Sequence, residues 1–179
     1  MRLFIALLPD EDFKNALVRT QDALRRAGVG GNYAERENLH VTLAFIGDYP
    51  DPDAVLDAVK AARPAPFLLS ADGIGSFGGA WWAGIRPTDA LTAYAARLRR
   101  ALASALIPYD KKKFTPHVTL IRRPDRDRLP PVAPPLAACE VAGVSLMRSE
   151  SIRGAECRAR TQSMYLNCIR LIRGRKEPQ

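Results

Sequence analysis

The chain has 179 residues, 47% hydrophobic and 26% charged, with 27 Lys and Arg against 19 Asp and Glu and a formal net charge of +8. At roughly 150 residues per domain this is a single domain over 1–179, or one made of two similar halves, and it can bury about 70% of its unfolded surface without disulfides or metal. Disorder, collagen-like repeats and a disulfide scaffold are excluded, and no apolar run approaches the ~20 residues of a membrane span. The charge is uneven: residues 1–89 carry 9 basic and 12 acidic side chains, residues 90–179 carry 18 and 7. A half that basic suits an anionic partner, with nucleic acid or a nucleotide ahead of a membrane surface, or else an Arg-rich solvated face. Cys139, Cys157 and Cys168 are odd in number and lack C-x-x-C spacing, which suits a reducing cytoplasm, the expected location.

In chain order, Arg2 to Leu8 is apolar enough for a strand covered on both faces, not a signal peptide, since Asp10, Glu11 and Asp12 follow at once. Asp10 can cap a helix with Phe13, Leu17, Ala23 and Leu24 as its apolar stripe, ended by Gly28 to Gly31. Leu39 to Ile46 is the clearest strand: alternation puts Leu39, Val41, Leu43 and Phe45 on one face and His40, Thr42, Ala44 and Ile46 on the other. Asp51-Pro52 opens a helix to about Ala62. Phe67 to Ile74 and Ala80 to Arg86 read as strands joined by a turn rich in glycine (Gly73, Gly75, Gly78, Gly79), and Trp81-Trp82 as one core ring and one surface ring. A long helix runs from Thr88 to about Leu106 with Leu91, Ala95, Leu98 and Leu102 inward, and Pro108 closes it. His117 to Arg122 is a further strand, Pro124 to Pro135 a surface loop, and Val141 to Ser149 and Ser163 to Ile172 the last strands. Helices interleaved with strand pairs make an α+β chain.

The sequence holds two histidines, and both stand in the same tetrapeptide: His40-Val41-Thr42-Leu43 and His117-Val118-Thr119-Leu120. Residues i and i+2 of a strand project together, so each motif presents an imidazole beside a hydroxyl. A duplication would bring the two pairs together across a pseudo-twofold cleft. Two imidazoles suit phosphoryl transfer without a metal, one taking a proton from the attacking water and the other giving one to the leaving alkoxide. Thr42 and Thr119 can hold the phosphate oxygens, and Lys111–Lys113 or Arg122–Arg123 can neutralise the developing charge. Neither histidine has the neighbouring His or Cys that a zinc site needs, so no metal and no cofactor are expected.

With these flanks the chain resembles the two-histidine phosphoesterases, specifically the LigT-like RNA 2′,3′-cyclic phosphodiesterases. Arg2 to Ala6 is similar to the family's first strand, Glu37 to Gly47 to its first H-x-T-x segment and Phe114 to Arg122 to its second. The resemblance implies a bilobal α+β fold, two pseudo-symmetric lobes each with an antiparallel sheet and outer helices around a cleft. It implies that His40 is the proton donor and His117 the proton acceptor. Thr42, Thr119 and Arg122 would bind phosphate, and Phe4 would stack on base or ribose. Strict alternation would instead aim Arg123 into the cleft. The implied reaction opens an RNA or nucleotide 2′,3′-cyclic phosphate to a 2′-phosphomonoester. The partner is then RNA or a nucleotide, with no membrane, no obligatory protein partner, and a monomer as the default. The alternatives are another cyclic or 2′,5′-linked nucleotide substrate, the joining of RNA ends, or a non-catalytic RNA-binding module.

Overall fold

The computed structural model describes residues 2–63, 65–77, 79–141, 143–153 and 159–170. The chain runs β1 (Arg2–Leu7), α1 (Glu11–Arg26), β2 (Asn32–Tyr33), a 3₁₀ turn (Arg36–Asn38), β3 (Val41–Asp48), α2 (Pro52–Ala61), β4 (Phe67–Phe77) and β5 (Ala80–Ile85). It continues with α3 (Asp89–Ser104), β6 (His117–Arg122), β7 (Ala138–Val141), β8 (Gly143–Arg153) and β9 (Ala159–Arg170).

Helices α1, α2 and α3 begin where capping chemistry puts them. The Asp10 carboxylate accepts from the Phe13 N–H at 2.8 Å, Asp51 accepts from the Asp53 and Ala54 N–H groups, and the Thr88 hydroxyl accepts from Leu91. The stripe of α1 differs from the expected one. Ala23 is only half-buried, while Thr20 and Gln21 join Phe13, Ala16, Leu17 and Leu24 on the buried face. The Gln21 amide explains its burial, since it donates to the carbonyls of Ala34 and Leu120 at 2.8 and 2.9 Å. A buried polar group is tolerated when its hydrogen bonds are made.

The strands form one sheet in the order β7-β4-β5-β6-β3-β1-β8-β9, with β2 alongside β6 and every pairing antiparallel. Two strands, β2 and β7, have no counterpart in the sequence reading. β2 has two residues and β7 four, too few for a period of two to stand out, although β7 does alternate, with Cys139 and Val141 buried. β4 also runs on to Phe77, so Gly73 and Gly75 lie within a strand and the turn is confined to its end. Cys157, Ile172 and Gly78 lie outside the described residues.

The centre of the sheet is its weakest seam. β3 and β6 share a single register pair, Val41 with Val118, whereas β1 pairs along its length with β3 and β5 along its length with β6. The sheet therefore consists of two antiparallel halves, one on each side of that seam. Helix α1 packs on β6 and β7, while α2 and α3 pack together and against β8 and β3. The main core lies under these helices and contains Leu3, Ile5, Leu7, Leu43, Val118, Leu120 and Leu98, all at 0–1% exposure. On the opposite face of β1 a small second cluster gathers Phe4, Ala6 and Met147, with Phe45 packed against it.

Candidate active site

The seam is where the two repeated motifs meet. Val41 and Val118 are fully buried and paired, so the residues flanking each lie on the other face. Carried one step either way, the antiparallel register sets His40 across from Thr119 and Thr42 across from His117. Both imidazoles and both hydroxyls, all half-buried, then share one face at the junction. β3 itself begins at Val41, one residue later than the pattern suggested, and His40 closes the segment that follows the 3₁₀ turn.

The two histidines are held alike. His40 Nδ1 lies 2.7 Å from the Asn38 carbonyl oxygen, and His117 Nδ1 lies 2.7 Å from that of Thr115. A carbonyl can only accept, so in each ring Nδ1 carries the proton. Nε2 is then the atom free to exchange a proton with a ligand. Burial pushes the His40 pKa down to about 4, opposed by the bond to Asn38 and aided by the Arg122 charge and His117. Burial also lowers the His117 pKa, opposed by the Thr115 bond and aided by Arg122. At neutral pH both rings are uncharged, and a phosphate anion arriving between them would favour the protonated form of either.

A β-bulge decides between Arg122 and Arg123. Trp82 pairs with Thr119 but Trp81 pairs with Ile121, so Leu120 is an extra residue in β6. Leu120 and Ile121 both face the core at 0% exposure, and the alternation resumes out of phase. Arg122 thereby shares the face of Thr119 and His117, and its charge reaches both histidines. Arg123 turns away: its backbone takes φ 50° and its N–H donates to the Gly79 carbonyl at 2.7 Å. The Leu120 carbonyl is satisfied by the Ala34 N–H and by Gln21.

The same irregularity recurs in the first motif and corrects the alternation expected there. Ala6 pairs with Thr42 and Ile5 with Ala44, leaving Leu43 extra. Ala44 and Ile46 therefore enter the main core, and Phe45 crosses to the face of Thr42, where it packs on Phe4. Phe45 and Arg122 each stand five residues after their histidine.

Aromatic rings back both imidazoles. The Phe4 ring centroid is 4.9 Å from that of His40, but Phe4 is only 5% exposed, so it supports the histidine from beneath. His117 meets the edge of Phe77 at 4.8 Å and Trp82 at 5.7 Å, and those two rings are 5.1 Å apart. Trp81 is the core ring of its pair, and Trp82 is the ring facing the site. The six-membered ring of Trp82 lies against Gly75, its cross-strand partner. A Cβ there would fall among the ring carbons Cη2 and Cζ2, closer than Cβ atoms come. Phe45, Phe77 and Trp82 escaped the sequence reading because strand parity assigns them a face only when the bulges are known. The adjacent tryptophans were the available signal, since neighbours on a strand point to opposite faces. Lys111, Lys112 and Lys113 are exposed on the approach to β6, with Lys112 3.3 Å from Asp110.

Among the described residues no group of three or more His, Cys, Asp or Glu side chains is placed to hold a metal ion, and no helix is long and apolar enough to cross a membrane. The chain is 33% identical over 166 residues to an RNA 2′,3′-cyclic phosphodiesterase of Thermus thermophilus, a match covering 84% of this chain and 82% of that one. An RNA 2′,3′-cyclic phosphodiesterase of Geobacillus stearothermophilus is 30% identical over 129 residues, 67% of this chain but 41% of the relative. Among solved structures, E. coli LigT complexed with 3′-AMP superposes with a TM-score of 0.76 at 25% identity, covering 96% of this chain and 98% of that one. A Thermus thermophilus protein of known structure also gives a TM-score of 0.76, at 28% identity over the same shares. The fold is LigT-like. Residues 9–153 match the model of the 2′-5′ RNA ligase superfamily, and the chain belongs to that family.

Proposed function

We propose that the protein hydrolyses the 2′,3′-cyclic phosphate of an RNA end or a nucleotide to a 2′-phosphomonoester, without a metal. The observation that carries this reading is the pair of identically tethered imidazoles at the seam, each offering Nε2 on the face that also bears Thr42, Thr119 and Arg122. The relatives named RNA 2′,3′-cyclic phosphodiesterase point to the same substrate class. His117 Nε2 takes the proton of the attacking water, the water oxygen bonds to phosphorus, and the 3′ oxygen leaves with the proton of His40 Nε2. Thr42 and Thr119 donate to the non-bridging oxygens, and Arg122 offsets the charge that builds on them. Because His40 is neutral in the free protein near pH 7, its proton has to be captured together with the phosphate anion.

One observation favours exchanging the roles. Burial pushes His40 furthest toward the neutral form, which is the form of a base. A substrate whose leaving group is already a stable anion separates the two assignments, because a nitrophenolate needs no donated proton. With His40 as donor, His40→Ala should harm a nitrophenyl ester far less than His117→Ala does. The reverse pattern would exchange the roles. On a 2′,3′-cyclic nucleotide in EDTA, each variant should lose a factor of roughly 10²–10⁴, the worth of a positioned acid or base. Wild-type protein that is inactive in EDTA and restored by one metal, or that binds RNA without turnover, would refute the reading.

A further inference from the structure

Helix α1 sends one buried amide into the strand that carries Arg122. Of the two polar side chains on its buried face, Thr20 returns its hydroxyl to the Ala16 carbonyl at 3.2 Å, whereas Gln21 reaches out of the helix. Gln21 is 2% exposed, and its Nε2 has two hydrogens, one for the Ala34 carbonyl at 2.8 Å and one for the Leu120 carbonyl at 2.9 Å. Leu120 is the extra residue of the β6 bulge. On the other edge of β6, Asn32 pairs with Arg122 and Tyr33 with Ile121, and the Ala34 N–H carries that ladder on to Leu120. The amide therefore bridges the two strands at the bulge, where the β2–β6 ladder ends. Gly31 draws the chain in just before that ladder: its φ is 139°, and a Cβ there would fall 2.8 Å from the Arg123 carbonyl oxygen.

We propose that Gln21 is a positioning residue for the phosphate-binding arginine: by fixing the bulge at Leu120 it turns Arg122, and not Arg123, into the site. This deepens the phosphodiesterase reading and rests on it for the task given to Arg122. Without the bulge, strict alternation would give Arg123 the place of Arg122 and would bring Ile121, now at 0% exposure, out of the core onto the face of the histidines. The same change would withdraw the Leu120 carbonyl from Nε2, and a buried amide hydrogen left without its acceptor is costly. Gln21 thus weighs the register toward the bulge from inside the core. It lies on the helix side of the sheet, opposite the site, so its effect on the chemistry passes through the β6 backbone.

The test is Gln21→Met, which keeps the length of the side chain and offers no donor. For a 2′,3′-cyclic nucleotide, kcat/KM should fall by up to about 10²-fold, the usual cost of displacing a working group by about 1 Å. NMR titration should show both histidine pKa values rising as they do in Arg122→Ala, since the Arg122 charge lowers both. In an Arg122→Ala background the same substitution should change kcat/KM by less than about twofold, because the group it positions is gone. Thr20→Val, which removes the neighbouring buried hydroxyl, should move none of these readings. If Gln21→Met does not fold, Gln21→Asn, whose amide is one methylene short of both carbonyls, goes through the same measurements with the same expectations. Unchanged histidine titrations in a folded Gln21 variant, or an undiminished loss in the Arg122→Ala background, would overturn the proposal. Wild-type protein that does not open the cyclic nucleotide sinks the phosphodiesterase reading, and the titration, which needs no substrate, still decides whether Gln21 sets the place of Arg122.

Discussion

Replacing His40 with glutamine should change how stability depends on pH, by an amount that follows from the burial of the ring. The folded protein pushes the His40 pKa from 6.5 to about 4. Between those values the unfolded chain binds a proton that the folded one does not, so ν_U exceeds ν_N and stability rises with pH. The contribution of His40 is therefore fully present above about pH 6.5 and is lost as pH falls toward 4. Between pH 7 and pH 5 that loss is about 2 kcal/mol, from 1.36 kcal/mol per unit applied to the part of the window crossed. Urea unfolding of wild type and His40→Gln at both pH values isolates the effect, because the other groups titrate alike in the two proteins apart from the small coupling of His40 to His117. Wild type should lose about 2 kcal/mol more than the variant. Parallel losses would mean that His40 is not buried as described, and that the tethered, desolvated imidazole is wrong.

Three further outcomes are expected. Arg122→Ala should lower kcat/KM for a cyclic nucleotide and raise the pKa of both histidines by NMR titration, since Arg122 lowers both. Arg123→Ala should do neither, and the opposite result would refute the assigned bulge. Gly75→Ala should displace Trp82, destabilise the fold by about 1–3 kcal/mol as overpacking does, and lower turnover through His117. Unfolding and rate measurements that both match wild type would show that the indole has room to move. Replacing Lys111, Lys112 and Lys113 together should flatten the salt dependence of binding to single-stranded RNA, by about 0.7 in log–log slope for each lysine that meets a phosphate. An unchanged slope would assign all three to ordinary surface.

The histidine repeat was legible because its information is local. Two H-V-T-L strings, a period of two along a strand and the absence of any other histidine are properties of the chain before it folds. The helix starts were legible for the same reason, since Asp10, Asp51 and Thr88 reach N–H groups two or three residues away. The meeting of the motifs is different in kind. It depends on one pair, Val41 with Val118, between residues far apart in the chain. The parity of Phe45 and Arg122 depends on two bulges, at Leu43 and Leu120, that exist only because β1 and β5 pair in a particular register. A one-residue slip in a strand reverses every later side chain, so no reading of alternation along β6 alone could choose Arg122 over Arg123. Trp82 and Phe77 reach His117 only through the pairing of β4, β5 and β6, with Gly75 leaving the space. Residue type and local spacing are written in the chain, and they name the groups that can carry the chemistry. Which of those groups face one another is settled only on folding, because facing is a matter of register between strands that lie far apart until then.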